Sequence, residues 1–402
     1  MAFRYKFSEE EINEREEDME AEKVQDLLIE LLRAELTGTE LDAAAKEQLT
    51  PDALSTLYSL SDRQDLAHMV SAALSKNGLP ADQKLAAQFA QKEILSVYRA
   101  EQMKAVFGKI CAAFDQASIA YVPLKGLVMR PYYPKESMRT SCDMDILIRE
   151  ENLDAAVDAL TQIGFRYDRK NYHDVSLYYG DRIHLELHFN ILGTQDRMDA
   201  VMGDAWQYVT PVQGCRCAFT EDYFVFYMFA HMVTHFRSGG CGIRSLMDIW
   251  VMEHKMGLSY LRGKALLEKA GIYRFAREIS KLSEICFSDK PKDDFTDILL
   301  SYLFRGGMYG SLQNRVAVTK SKSGSMLVYA LKRVFPPYGE MVVPYPILKK
   351  LPVLLPFCWI ARFTKMLLEG RAGRAVKELK TGNNLTDTEV NTLHDMFSHL
   401  GL

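Results

Sequence analysis

The sequence predicts an α+β protein in three parts: a helical N-terminal region (1–118), a small strand-bearing core (119–192) and a helical C-terminal region (193–402). Three observations predict it. No strand signal precedes Ala120, residues 120–189 carry runs of period-two alternation, and after Gly193 the apolar spacing reads as helical to the end. With 402 residues the chain has room for more than one hydrophobic core. A hydrophobic share of 48% and a charged share of 25% exclude the disordered and fibrous classes.

Ser8 followed by Glu11 makes a capping box, and the acids from Glu9 to Glu22 suit the positive end of a helix. That helix runs into an apolar face of Val24, Leu27, Leu28, Leu31 and Leu32. Pro51 opens a further helix, and Asn77 with Gly78 closes another. From 82 to 117 the apolar residues Leu85, Phe89, Ile94, Leu95, Tyr98, Met103, Val106 and Ile110 recur at helical spacing.

In the core, a short apolar run at 120–124 ends at Lys125-Gly126, where a helix begins. The next strand points Cys142, Met144, Ile146 and Ile148 one way and Asp143 and Asp145 the other. Leu153, Ala156, Val157, Leu160 and Ile163 mark a helix, with Gly164 placed as its cap. Gly180-Asp181 reads as a hairpin turn between strands at 175–179 and 182–189. In the latter, Ile183, Leu185, Leu187 and Phe189 form an apolar face, leaving His184, Glu186 and His188 opposite. If the Asp143 and Glu186 strands pair, three carboxylates meet on one patch. Carboxylates packed so closely repel unless divalent metal lies between them. Two hard cations on three carboxylates are the apparatus of phosphoryl or nucleotidyl transfer.

Helices are expected at 223–236, 245–256 and 261–270. His231 and His235 stand at i, i+4, but the Glu of a zinc-protease motif is missing, which excludes that chemistry. Arg244 and Asp248 are spaced for a helix salt bridge. Six prolines between 336 and 356 forbid one long helix there. The apolar stretch 351–368 contains Pro352, Pro356, Arg362 and Lys365, so it reads as a buried or partner-binding helix rather than one in contact with a membrane. The basic residues between Arg305 and Lys380 suit either an anionic partner or a solvated helical surface. Cys142 and Cys241 read as small core residues, and Cys215 with Cys217 lacks a second pair for zinc. Scattered thiols and an N-terminus without a signal-like apolar stretch lead to a cytoplasmic expectation.

The strings Pro123-Leu124-Lys125-Gly126, Arg139 to Ile148 with its Asp-x-Asp, and Leu185-Glu186-Leu187-His188 together resemble the uncharacterised bacterial nucleotidyltransferase family. That family lies within the DNA polymerase beta-like nucleotidyltransferase superfamily. His231, His235, Arg244 and Asp248 fit the helical region that follows the core there, and the resemblance spans about 119–255. It implies a small mixed-sheet nucleotidyltransferase core, two Mg²⁺ ions (or Mn²⁺), and transfer of a nucleoside monophosphate from an NTP to an acceptor hydroxyl. The acceptor would be a protein, a tRNA or a small molecule, and the biology could be toxin-like. Asp143, Asp145 and Glu186 are then the catalytic and metal-binding residues. Lys125, Gly126, Arg139, His188, His235 and Arg244 are the expected nucleotide-side groups. The family signature departs from its superfamily in carrying Lys125-Gly126 where Gly-Ser is usual, which favours an alternative: a catalytically weak nucleotide-binding or scaffold protein that keeps the fold.

Overall fold

The computed structural model describes residues 9–77, 82–191, 197–203, 205–288, 290–307, 310–323, 334–342, 344–368 and 385–402. The Ser8 half of the capping box, the Gly78 cap and Gly193 lie outside these residues, as does much of the basic run after Arg305. The chain divides into two compact units. The first comprises Met1–Thr234 and Ile243–Asp293; the second comprises His235–Gly242 and Asp294–Leu402.

The first unit begins with α1 (Glu9–Thr37), α2 (Ala43–Gln48), α3 (Pro51–Arg63), α4 (Ala67–Asn77) and α5 (Gln83–Gln116). Thr50 caps α3 ahead of Pro51, and Asp82 caps α5 by accepting from the Lys84 and Leu85 amides. Strand β1 (Tyr121–Pro123) follows, then the short α6 (Gly126–Met129), β2 (Asp143–Ile148) and α7 (Leu153–Gln162). Next come β3 (Phe165–Lys170), β4 (Asp174–Tyr179), β5 (Ile183–His188), α8 (Asp199–Met202), β6 (Val209–Gln213) and β7 (Arg216–Phe219). Helices α9 (Glu221–Arg237) as far as Thr234, α10 (Ile243–His254), α11 (Lys264–Lys269) and α12 (Tyr273–Phe287) complete it.

Among the described residues the strands form one seven-stranded sheet in the order β3-β4-β5-β2-β1-β7-β6. It is mixed: β2 runs parallel to β5, and β1 parallel to β7, while the other pairs are antiparallel. One face is the core. Met144, Ile146 and Ile148 of β2, Ile183, Leu185 and Leu187 of β5, and Val175 and Leu177 of β4 pack on Met103, Val106, Ile110 and Phe114 of α5 and on Leu153, Ala156 and Leu160 of α7. Each such side chain contributes about 1.5–3 kcal/mol on leaving water. That apolar layer sets the register, because slipping β2 by one residue would drive Asp143 and Asp145 into it.

Gly164 caps α7 at φ +100, and the β4–β5 hairpin forms as expected, though its loop runs through three residues, with Tyr179 facing Ile183 and Gly180 at φ +58. Two expectations need correction. The chain beyond Gly193 is not helical throughout: β6 and β7 extend the sheet past β1. Strand β6 is exposed along most of its length and is held by its pairing with β7, while β7 is too short for its buried Cys217 and Phe219 to stand out as an alternation. Cys142 is exposed, because β2 starts one residue later at Asp143; Cys241 is buried as expected. None of the seven cysteines is in a disulfide.

The second unit contains α13 (Asp294–Gly306), α14 (Leu312–Ser323) and further helices at Tyr338–Val342, Leu355–Leu368 and Asp387–Leu400. Within it Val316, Ala317 and Leu385 form one buried cluster, Met341, Leu348 and Cys358 another, and the rings of Phe236, Tyr302 and Phe397 pack on one another. No described helix is long and apolar enough to cross a membrane.

Candidate active site on the polar face of the sheet

The polar face is built in lateral rows. The register sets Asp145 of β2 beside Glu186 of β5, and Glu186 beside Ser176 of β4. Asp143, His184 and Tyr178 form the neighbouring row on one side, and Leu147, His188 and Asp174 the row on the other. Three carboxylates therefore converge as the alternation predicts. Ligand atoms of Asp143, His184 and Glu186 lie within 4.8 Å of one another, and so do those of Asp145, Glu186 and His188. Glu186 is common to both sets. Oxygen-dominated sets of this kind suit hard divalent cations, and the shared carboxylate suits a pair of them.

Positive groups balance the cluster. Lys125 Nζ lies 3.2 Å from Asp145 Oδ2, and His188 Nε2 lies 2.9 Å from Asp145 Oδ1 and 3.5 Å from Glu186 Oε2. Burial alone would raise the Asp145 carboxyl, but Lys125 and then His188 outweigh it and hold the group well below the usual carboxylate range. The hydrogen bond from His188 likewise lowers Glu186. Asp143 moves the other way: burial and the neighbouring Asp145 raise it. Burial opposes the charge on Lys125, yet Asp145 keeps it above its ordinary value. His188, disfavoured by burial but held by Asp145 and Glu186, is raised to about 9.

Lys125 caps α6 at φ +43, a conformation that a lysine rarely adopts. The turn is strained, and strain of this type collects at functional sites. It turns the chain sharply from β1 into α6, where Leu124 N–H donates to the Asp145 carbonyl at 3.0 Å. Gly126 is buried, and a Cβ there would stand 3.3 Å from Arg139 Nη1. The glycine is thus explained by the approach of Arg139.

Arg139 itself does not stand free for a triphosphate. Its Nε and Nη2 form a bidentate pair with Asp248, both at 2.8 Å, and Nη1 donates to the Thr140 carbonyl at 2.7 Å. Tyr133 adds a hydrogen bond to Asp248 at 2.7 Å. Arg244 was expected to pair with Asp248; it bonds instead to the carbonyl and hydroxyl of Thr140, with Asp65 3.3 Å away. Arg130 donates to the Arg139 carbonyl and the Ser141 hydroxyl. Burial, helped by Arg139, pulls Arg130 down to about 10. These three guanidinium groups clamp the backbone that leads into Asp143. His235 is exposed in the last turn of α9 and belongs to the second unit.

The sequence reasoning missed Tyr227 and undervalued His231. Both act electrostatically on the cluster: His231 lowers Asp145, and burial together with the carboxylates raises the Tyr227 phenol. Their i, i+4 spacing on α9 was the available signal, since it puts Tyr227 on the face that carries His231. His173 and Asp174 were missed as well; no pattern in sequence marks a strand-start Asp as the cross-strand partner of His188.

The family model described as uncharacterised nucleotidyltransferase matches residues 51–287. No curated protein and no solved structure matches.

Proposed function

The chain belongs to the uncharacterised nucleotidyltransferase family, and we propose that it transfers a nucleoside monophosphate from an NTP to an acceptor hydroxyl in a metal-dependent reaction. The observation that carries the reading is the convergence of Asp143, Asp145 and Glu186 on the registered strands β2 and β5. The donor set fits Mg²⁺ or Mn²⁺: carboxylate oxygens dominate, and each oxygen keeps lone pairs beyond its contact with Lys125 or His188. Asp143, Asp145 and Glu186 would hold the ions, which supply acidification of a hydroxyl and neutralisation of pyrophosphate. Glu186, kept ionised by His188, can take the hydroxyl proton. Lys125 brings a cation to the turn where phosphates would lie, alongside the Gly126 backbone. His188 orients Asp145 and Glu186. The acceptor is a protein side chain, a tRNA end or a small molecule, and the setting is the cytoplasm, where thiols stay reduced.

One observation favours a second reading, a nucleotide-binding scaffold of little catalytic power: Lys125 is paired to the same Asp145 that a metal would need. One experiment separates the two. Each NTP is incubated with Mg²⁺ or Mn²⁺ and the chain, with and without Asp143→Ala, and pyrophosphate is measured. Release that the variant abolishes supports transfer. Tight NTP binding by calorimetry with no release for any NTP or metal supports the scaffold.

A further inference from the structure

We propose that His173, Asp174 and His188 form a separate cation site that takes a divalent transition-metal ion of the Zn²⁺ type. The β4–β5 register sets Asp174 directly across from His188, and His173 precedes it. A ring nitrogen of each histidine and a carboxylate oxygen of Asp174 lie within 4.8 Å of one another. The two rings are stacked with centroids 5.8 Å apart.

The protonation pattern follows from the neighbours. His188 turns Nε2 to Asp145 at 2.9 Å, and an ionised carboxylate can only accept, so Nε2 carries the hydrogen. His173 turns Nε2 to Asp174 Oδ2 at 2.7 Å. A cation that binds here displaces any proton on Nδ1 and takes a lone pair from each Nδ1. Both Nδ1 atoms are buried and have no hydrogen-bond partner, and the His188 residue as a whole is only 7% exposed. A buried imidazole nitrogen without a partner is costly, whether it carries a proton or a lone pair, unless a ligand engages it. An imidazole that donates one N–H to a carboxylate while its other nitrogen ligates is a familiar arrangement around bound metal.

The loop is held ready. Asn171 donates its side-chain amide to Asp174 Oδ1 and its backbone N–H to the Asp174 carbonyl, each at 2.8 Å. The Phe189 and Asn190 amides both donate to the His173 carbonyl, which ties the loop to the end of β5. Exposed Tyr172 packs on the His173 ring with centroids 4.4 Å apart. Two imidazoles and one carboxylate suit Zn²⁺ or Co²⁺, whereas Mg²⁺ prefers oxygen alone. An ion here would lock His188 in its hold on Asp145, whatever reaction the carboxylates serve.

The test uses the full chain freed of metal with a chelator, then titrated with Co²⁺ in excess Mg²⁺ while the visible ligand-field absorption is followed. The expected result is a saturable band at one equivalent that Zn²⁺ displaces. Asp143→Asn should leave the band essentially unchanged. His173→Ala, His173→Gln and Asp174→Asn should each weaken Co²⁺ binding about tenfold or more. His173 is partly exposed, so its variants keep the fold, as circular dichroism would verify. The proposal is overturned by the absence of a band, by a band that both His173 variants retain, or by one that Asp143→Asn removes while His173→Gln keeps it.

Discussion

Two buried ionic clusters meet at the start of β2, one ahead of the strand and one on it, and they are built to opposite rules. Ahead of Asp143, Arg130, Arg139 and Arg244 meet Asp248, Asp65 and the carbonyls of Arg139 and Thr140, and each guanidinium bonds to defined partners. On the strand itself, Asp143, Asp145 and Glu186 share Lys125 and His188, and the imidazole nitrogens His184 Nε2, His188 Nδ1 and His173 Nδ1 are left without partners. A satisfied cluster holds the chain in one shape. An unsatisfied cluster that is crowded with one sign of charge retains affinity for something else. The first has the character of a clamp, the second that of a site.

The comparison can be tested by damaging each cluster in turn. Asp145→Asn keeps the shape but removes the charge, so NTP-dependent pyrophosphate release should fall about a thousandfold or more, roughly 4 kcal/mol in the barrier. Its urea unfolding midpoint should fall as well, because Lys125 and His188 lose a buried partner, but by less than the loss in Arg139→Ala, since Glu186 still faces His188. Arg139→Ala should act mainly on stability. It leaves Asp248 buried without its guanidinium, and denaturant unfolding should report a loss of roughly 3–5 kcal/mol. If stability holds, the clamp is not one.

A pH series tests His188. Its pKa is raised from the ordinary 6.5 to about 9 in the folded protein. With EDTA present, its stabilising contribution should be complete below about pH 6.5 and disappear as pH climbs through about 9, a change of roughly 1–3 kcal/mol. His188→Gln should flatten that part of the stability profile, and an unchanged slope would remove the histidine from the charge balance. Gly126→Ala should have the smallest effect. Its Cβ would press on Arg139 Nη1 at 3.3 Å, which calls for a cost of roughly 1 kcal/mol in unfolding free energy. An NTP affinity that weakens beyond what this stability change explains would give Gly126 a role at phosphate as well.

The sequence by itself determined the α+β class, the apolar layer of β2 and β5, and the phase of Asp143, Asp145 and Glu186. Period-two alternation is a local property: once Met144, Ile146, Leu185 and Leu187 must be buried, the acids between them must face the other way. The β6–β7 extension was not legible, because β6 is exposed and held by pairing, and β7 offers only Cys217 and Phe219 as an alternating pair. Only the tertiary structure decided that Arg139 belongs to Asp248, 109 residues away, and that Arg244 reaches Thr140. It alone set Asp174 across from His188 and brought Tyr227 within electrostatic reach of Asp145. The physical reason is that a long charged side chain can find many partners along a sequence. Which one it takes depends on which backbone segments the packed helices bring within about 3 Å of it.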